Sequence, residues 1–208
     1  DLWILTNRWP IRKSGTQFKI VRPEGDESEG YPFQCMCQDE EGIWFGSNRQ
    51  IFRYTFSDSS LTLFKVLDGY PAFLISNIVL MDGHTLLCGS HNGLLFVDTE
   101  TGEIQETPFS LFNEITATLI DSRGRIWISF YNNGIAVFEK DGRLIRRYSS
   151  SDSDLSNDVV LCMTERDSSI WAGTDGGGIN IIDHESGTIR VLSHVAGDPS
   201  SLPAHSIK

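Results

Sequence analysis

SIWAGTDGGGINIID, residues 169–183, is the stretch on which the fold turns. It has close copies in RIWISFYNNGIAVFE (125–139), TLLCGSHNGLLFVD (85–98) and GIWFGSNRQIFRY (42–54), and a truncated one, DLWILTN, opens the chain. Anchored on the aromatic residue or its substitute, Trp3, Trp44, Leu87, Trp127 and Trp171 stand 41, 43, 40 and 44 residues apart. A fixed period of about 42 residues is the length of a four-stranded propeller blade.

The copy at 113–156 shows the internal grammar most clearly. ITATLI (115–120) reads as a strand, DSRG as a tight turn with Gly124 free to take positive φ, and RIWIS as a second strand. Asn133 before Gly134 signals a hairpin, IAVFE makes the third strand and RLIRRY the fourth. The middle strands are apolar at successive positions, as strands covered on both faces are. Helical periodicity is absent over any ten residues. The expected fold is therefore all-β: blades of four antiparallel strands, about five of them. Repeats fall at 1–30 (partial), 31–72, 73–112, 113–156 and 157–200, with 201–208 opening a further one. A solenoid or a sandwich of unrelated strands fits less well, because identical blades around an axis must repeat the same residues at each interface.

Composition excludes several function classes. With 17 basic and 28 acidic residues the net charge is −11, which argues against a nucleic-acid or anionic-membrane partner. No apolar run approaches the roughly 18 residues of a membrane-spanning helix, and no signal-peptide pattern is present. Cys35, Cys37, Cys88 and Cys162 lie in apolar strand-like runs without CxxC spacing and read as buried thiols. HExxH spacing and a phosphate-cradling loop are missing, so neither metal nor cofactor is expected. Asp152, Asp154 and Asp158 loosely resemble a calcium loop but lack its central Gly and final Glu, which favours a polar capped loop. The five histidines are scattered among turns and linkers and read as surface residues, with no catalytic set.

The copies ATLIDSRGRIWISFYNNGIAVFE (117–139) and LCMTERDSSIWAGTDGGGINIID (161–183), with the linkers SSSDSDLSNDVV and HVAGDPSSLPAHSI, resemble the regulator-propeller repeats of bacterial two-component sensor histidine kinases, including hybrid receptors. Ser129 for Gly, Leu87 for Trp and the Gly-less SNRQ at 47–50 depart from that pattern. The resemblance implies a periplasmic sensor part of an inner-membrane receptor that responds to a carbohydrate-derived ligand, with the rest of the ectodomain as partner and a homodimeric parent. It also implies a fragment of a larger propeller, starting in a blade without its inner strand and ending on the inner strand of the next. Closure of a five-blade ring by that last strand stays open as the alternative.

In alternating strands, the loops joining second to third strand and those leading to the next blade emerge at one end. There they would collect Trp9, Arg49, His91, Asn92, Tyr131, Asn132 and Asp175, a set suited to sugar hydroxyls and pyranose faces. Asn or Asp before Gly also suits a hairpin with no ligand at all. Two other functions compete: a protein-binding scaffold using Tyr70, Phe73, Phe109 and Phe112, and a propeller enzyme such as a lyase. The inner-strand segments FQCMCQ, NIVLM, ITATLI and VVLCMT offer packing residues rather than acids or bases, apart from Gln34 and Gln38.

Overall fold

The computed structural model describes residues 1–26, 30–70, 74–106 and 114–207, which form two compact units, 1–107 and 108–208. In the first unit β1 (Leu2–Ile4), β2 (Ile11–Ser14) and β3 (Gln17–Ile20) make a three-stranded sheet. Two four-stranded sheets follow. They are β4 (Phe33–Gln38), β5 (Gly42–Ser47), β6 (Gln50–Thr55) and β7 (Ser60–Val66), then β8 (Asn77–Met81), β9 (Thr85–Ser90), β10 (Gly93–Asp98) and β11 (Ile104–Glu106). The second unit holds β12 (Ile115–Ile120), β13 (Ile126–Phe130), β14 (Gly134–Phe138) and β15 (Leu144–Tyr148) in one sheet. Its other sheet is β16 (Val160–Arg166), β17 (Ser169–Thr174), β18 (Gly178–Asp183) and β19 (Ile189–Leu192). Every pairing is antiparallel between consecutive strands, and the described residues contain no helix. Strands expected from the 113–156 repeat start and end within a residue or so of those observed.

Burial grades outward across each blade. The second strands β5 and β13 are buried at every position, as their unbroken apolar runs require. Fourth strands such as β3 and β15 are mostly exposed. Trp44 packs with Ile51, Leu86 and Cys88 in one core cluster of the first unit, and Trp127 with Ile135, Tyr148 and Ile170 in the second. Leu87, standing in for Trp, is fully buried as well.

One junction recurs between sheets. The inner strands β4, β12 and β16 each carry a bulge near the start, which sets Cys35, Ala117 and Cys162 opposite Gly46, Ser129 and Gly173. The chain that follows the sheet then crosses over that position. A methyl at Gly46 would fall 2.7 Å from Ile75 Cγ2 and 2.5 Å from Cys35 Sγ; at Gly173 it would fall 2.8 Å from Ile207 Cγ2 and 2.7 Å from Cys162 Sγ. Ser129 breaks the glycine rule, yet its partner there is the smaller Ala117, and its hydroxyl lies 2.8 Å from Thr116 Oγ1 and donates to the Val160 carbonyl at 3.2 Å. Residues 203–207 are not a strand, but Ile207 donates its N–H to the Thr174 carbonyl, as Ile75 does to Asn48 and Phe33 to Thr6.

Candidate functional site

Each blade has a hairpin end, where second and third strands meet, and an opposite end formed by the Asp-containing turns. At the hairpin end Tyr131 is 52% exposed, and Asn132 takes a positive φ of 55°, so the turn conformation alone accounts for an amide there. Gly134 is irreplaceable in that hairpin: φ is +65° and a Cβ would sit 2.0 Å from the Tyr148 carbonyl oxygen. Asp175 is exposed, with Oδ1 accepting from Ser206 Oγ at 2.8 Å and its carbonyl from Asn157 Nδ2 at 2.8 Å. His91 and Asn92 are exposed, and Arg49 is half-buried beside Asn48, itself at positive φ.

Trp9 is a correction. It is 5% exposed, wedged among Tyr31, Phe33 and Phe52 with ring centroids 5.3–6.0 Å away, so it is a core residue of the first unit rather than a ligand-facing one. The loop that carries it folds inward because Thr6 Oγ1 accepts the Arg8 N–H and donates to the Trp9 carbonyl. Tyr70 likewise packs on the core cluster around Trp44, while Phe73, Phe109 and Phe112 lie outside the described residues.

The linker at 149–158 is pinned, not loose. Asp158 accepts from Ser150 N and Oγ at 2.7 and 2.6 Å, and buried Asn180 holds Ser156 through both amide atoms. Asp152 accepts from Ser149 Oγ, so the acids of this loop serve its own polar groups.

The turn end is more highly built than the sequence suggests. Asp39 Oδ1 caps the backbone N–H groups of Glu41 and Gly42, Oδ2 accepts the Trp44 indole N–H at 2.9 Å, and Arg53 grips both oxygens at 2.7 and 2.8 Å. Asp121 repeats the arrangement with Arg123 N, Arg125 N, Trp127 Nε1 at 2.8 Å and Arg125 Nε at 2.7 Å. Burial by itself raises the Asp121 carboxyl, but the indole N–H, the backbone N–H and the Arg125 guanidinium outweigh it and hold the group below the ordinary carboxylate range. In the sheet β16–β19 the Asp position is Arg166, whose guanidinium lies over Trp171 at 5.5 Å. The clamp's only sequence signal is an Asp five or six residues before Trp in two copies.

Beside each clamp is a notch between neighbouring sheets. In the first unit it measures about 540 Å³ and is lined by Asp39, Glu40, Glu41, Arg53, His84 and Glu100. In the second it is about 150 Å³, lined by Arg125, Trp127, Arg146, Tyr148, His184 and Glu185. His184, expected at the surface, is 6% exposed and stacks on Trp127. The thiols are shielded: burial, with the charge of Asp39 adding to it, pushes Cys37 up to about 12, and burial raises Cys35 and Cys88 as well.

Four-stranded antiparallel sheets recurring at one period, with the same junction at Gly46, Ser129 and Gly173, decide the architecture. The blades are those of a β-propeller. No family model and no curated protein matches the chain in sequence. Among solved structures it is similar to the extracellular domain assigned to hybrid two-component system BT4673 of B. thetaiotaomicron (TM-score 0.70, 19% identity), covering 93% of this chain and 26% of that one. The extracellular domain assigned to hybrid system BT3049 of the same organism gives TM-score 0.69 and 18% identity over 90% of this chain and 28% of that one. Virginiamycin B lyase from Staphylococcus aureus gives 0.71 and 16% over 90% of this chain and 64% of that one. The chain thus spans about a quarter of the length of the two-component ectodomains it resembles.

Proposed function

We propose that this chain is part of the extracytoplasmic sensor propeller of a two-component receptor, a non-enzymatic module responding to a carbohydrate-derived ligand. The observation that carries the reading is Tyr131: a large aromatic, half exposed on a hairpin tip whose conformation needs only Asn132 and Gly134. Neither packing nor the turn calls for a ring there, whereas an exposed ring flanked by amides suits the apolar face of a pyranose and its hydroxyls. The likeness of the blades to two ectodomains assigned to hybrid two-component systems supports the sensor setting. Ligand-driven rearrangement of a homodimeric parent would then pass the signal inward.

The test is isothermal titration of the chain, and of a longer ectodomain containing it, against neutral plant and host oligosaccharides. Binding to either protein that falls about tenfold or more in Tyr131→Ala supports the reading, and silence from both proteins ends it.

A second reading, a protein-binding scaffold, draws on Phe18 and Ile20, 64% and 62% exposed on the outer strand β3. A lyase-like reading has less to stand on: the exposed positions of the described inner strands hold Gln34, Met36, Gln38, Thr164 and Arg166, and none of these is a carboxyl or imidazole group suited to general acid or base work.

A further inference from the structure

The two clamp-side notches occupy equivalent places in their sheets, yet their linings differ in charge. In the first, Arg53 is consumed by Asp39, and Glu40, Glu41 and Glu100 remain. In the second, Arg125 is likewise held by Asp121, but Arg146 also lines the space, with Glu185 as the one acid among the lining residues. Two guanidinium groups in one recess of a chain with net charge −11 are out of keeping with the whole.

Two of the lining side chains also carry a nitrogen that makes no hydrogen bond. Arg125 spends Nε on Asp121 and Nη1 on the His184 carbonyl at 3.3 Å, but its buried Nη2 makes no hydrogen bond. The His184 side chain is 1% exposed, and its Nε2 stands 3.6 Å from Glu165 Oε1 without bonding to any described group. Buried polar atoms are nearly always satisfied, so two orphans lining one cavity mark a missing partner. Arg146 adds a second guanidinium. Its Nη1 donates to the Ser186 carbonyl at 3.0 Å, and among the described residues no carboxylate pairs with it. A cavity of about 150 Å³ far exceeds the space one water needs.

We propose that this notch, between the sheets β12–β15 and β16–β19, binds the carboxylate of a small organic acid. A planar carboxylate matches the fork of a guanidinium, and Arg125 Nη2 and Arg146 supply donors to it while His184 offers Nε2–H. Glu185 on the rim and Glu165 behind His184 disfavour a dianion such as phosphate more than a monoanion. The site lies at the turn end of its sheets, away from Tyr131, and stands or falls independently of the sugar reading.

The experiment is calorimetric titration of the 208-residue chain with galacturonate, acetate, neutral galactose and inorganic phosphate, repeated on Arg146→Gln and on Arg147→Gln as an exposed control. Galacturonate is expected to bind, galactose not to compete with it, and Arg146→Gln to weaken the affinity about tenfold while Arg147→Gln leaves it unchanged. Acetate binding as tightly as galacturonate would assign the site to simple acids; galacturonate binding alone would assign it to sugar acids. Absence of binding by both carboxylates, a preference for phosphate, or affinity untouched in a folded Arg146→Gln protein with unaltered melting temperature would each overturn the proposal.

Discussion

Asp121 accepts an indole N–H and a guanidinium with a side chain wholly removed from solvent, while capping two backbone N–H groups of its own turn. A carboxylate held below its unfolded value contributes stability that is complete above about pH 4 and is lost as the pH falls through the folded value. Asp121→Asn should therefore cost about 2–4 kcal/mol at pH 7. The gap in melting temperature between wild type and variant should narrow steadily from pH 7 to pH 3, and a gap independent of pH would show that Asp121 acts only as a spacer. Thiol chemistry gives a second check: with Cys37 at about 12, roughly one molecule in ten thousand is thiolate at pH 8. Cys35, Cys37 and Cys88 should accordingly resist iodoacetamide in the native chain and react in urea. Trp44 and Trp127 are legible in the sequence as repeat anchors, because identical interfaces repeat identical residues. Their Asp partners show only as an Asp five or six residues upstream, which a charged turn that looks solvated does not distinguish until the chain is folded. Trp9 misleads for the opposite reason: its place between strands looks like a loop tip, and the aromatics that bury it lie 22 to 43 residues further along.

Among elements, the bulged inner strand and the second strand behind it form one packing decision. Gly46→Ser should destabilise the chain by about 1–3 kcal/mol in urea titrations, because the new Cβ meets Cys35 Sγ and Ile75 together. Adding Cys35→Ala copies the Ala117 and Ser129 pair and should recover most of that loss; a double variant no better than the single would refute the compensation. Gly178→Ala has no such rescue, with φ at +79° and the Leu192 carbonyl oxygen 2.1 Å from a Cβ. Strand positions and hairpin glycines were readable from period and turn chemistry. The bulges were not, because each shifts register by one residue without altering composition.

At the scale of the molecule, a net charge of −11 predicts that the chain passes through a duplex-DNA column at about 50 mM salt, where electrostatic attraction would be strongest; retention would point to a basic surface that net charge conceals. The number and order of blades are written in the period. The turn-end notches are not, since they arise where sheets meet and draw on residues as far apart as Arg125 and Glu185. The junction in which Phe33, Ile75 and Ile207 each dock on the preceding sheet has a bearing on how such a chain can grow or be rearranged. The heritable module is not the visible sheet but a sheet together with the chain that follows it as far as the docked residue. Gene duplication or recombination that cuts between β19 and Ile207, or between β7 and Ile75, would part a lid from its seat, whereas a crossover in the turn between a first and a second strand would carry Gly46 with Ile75, or Gly173 with Ile207, across together.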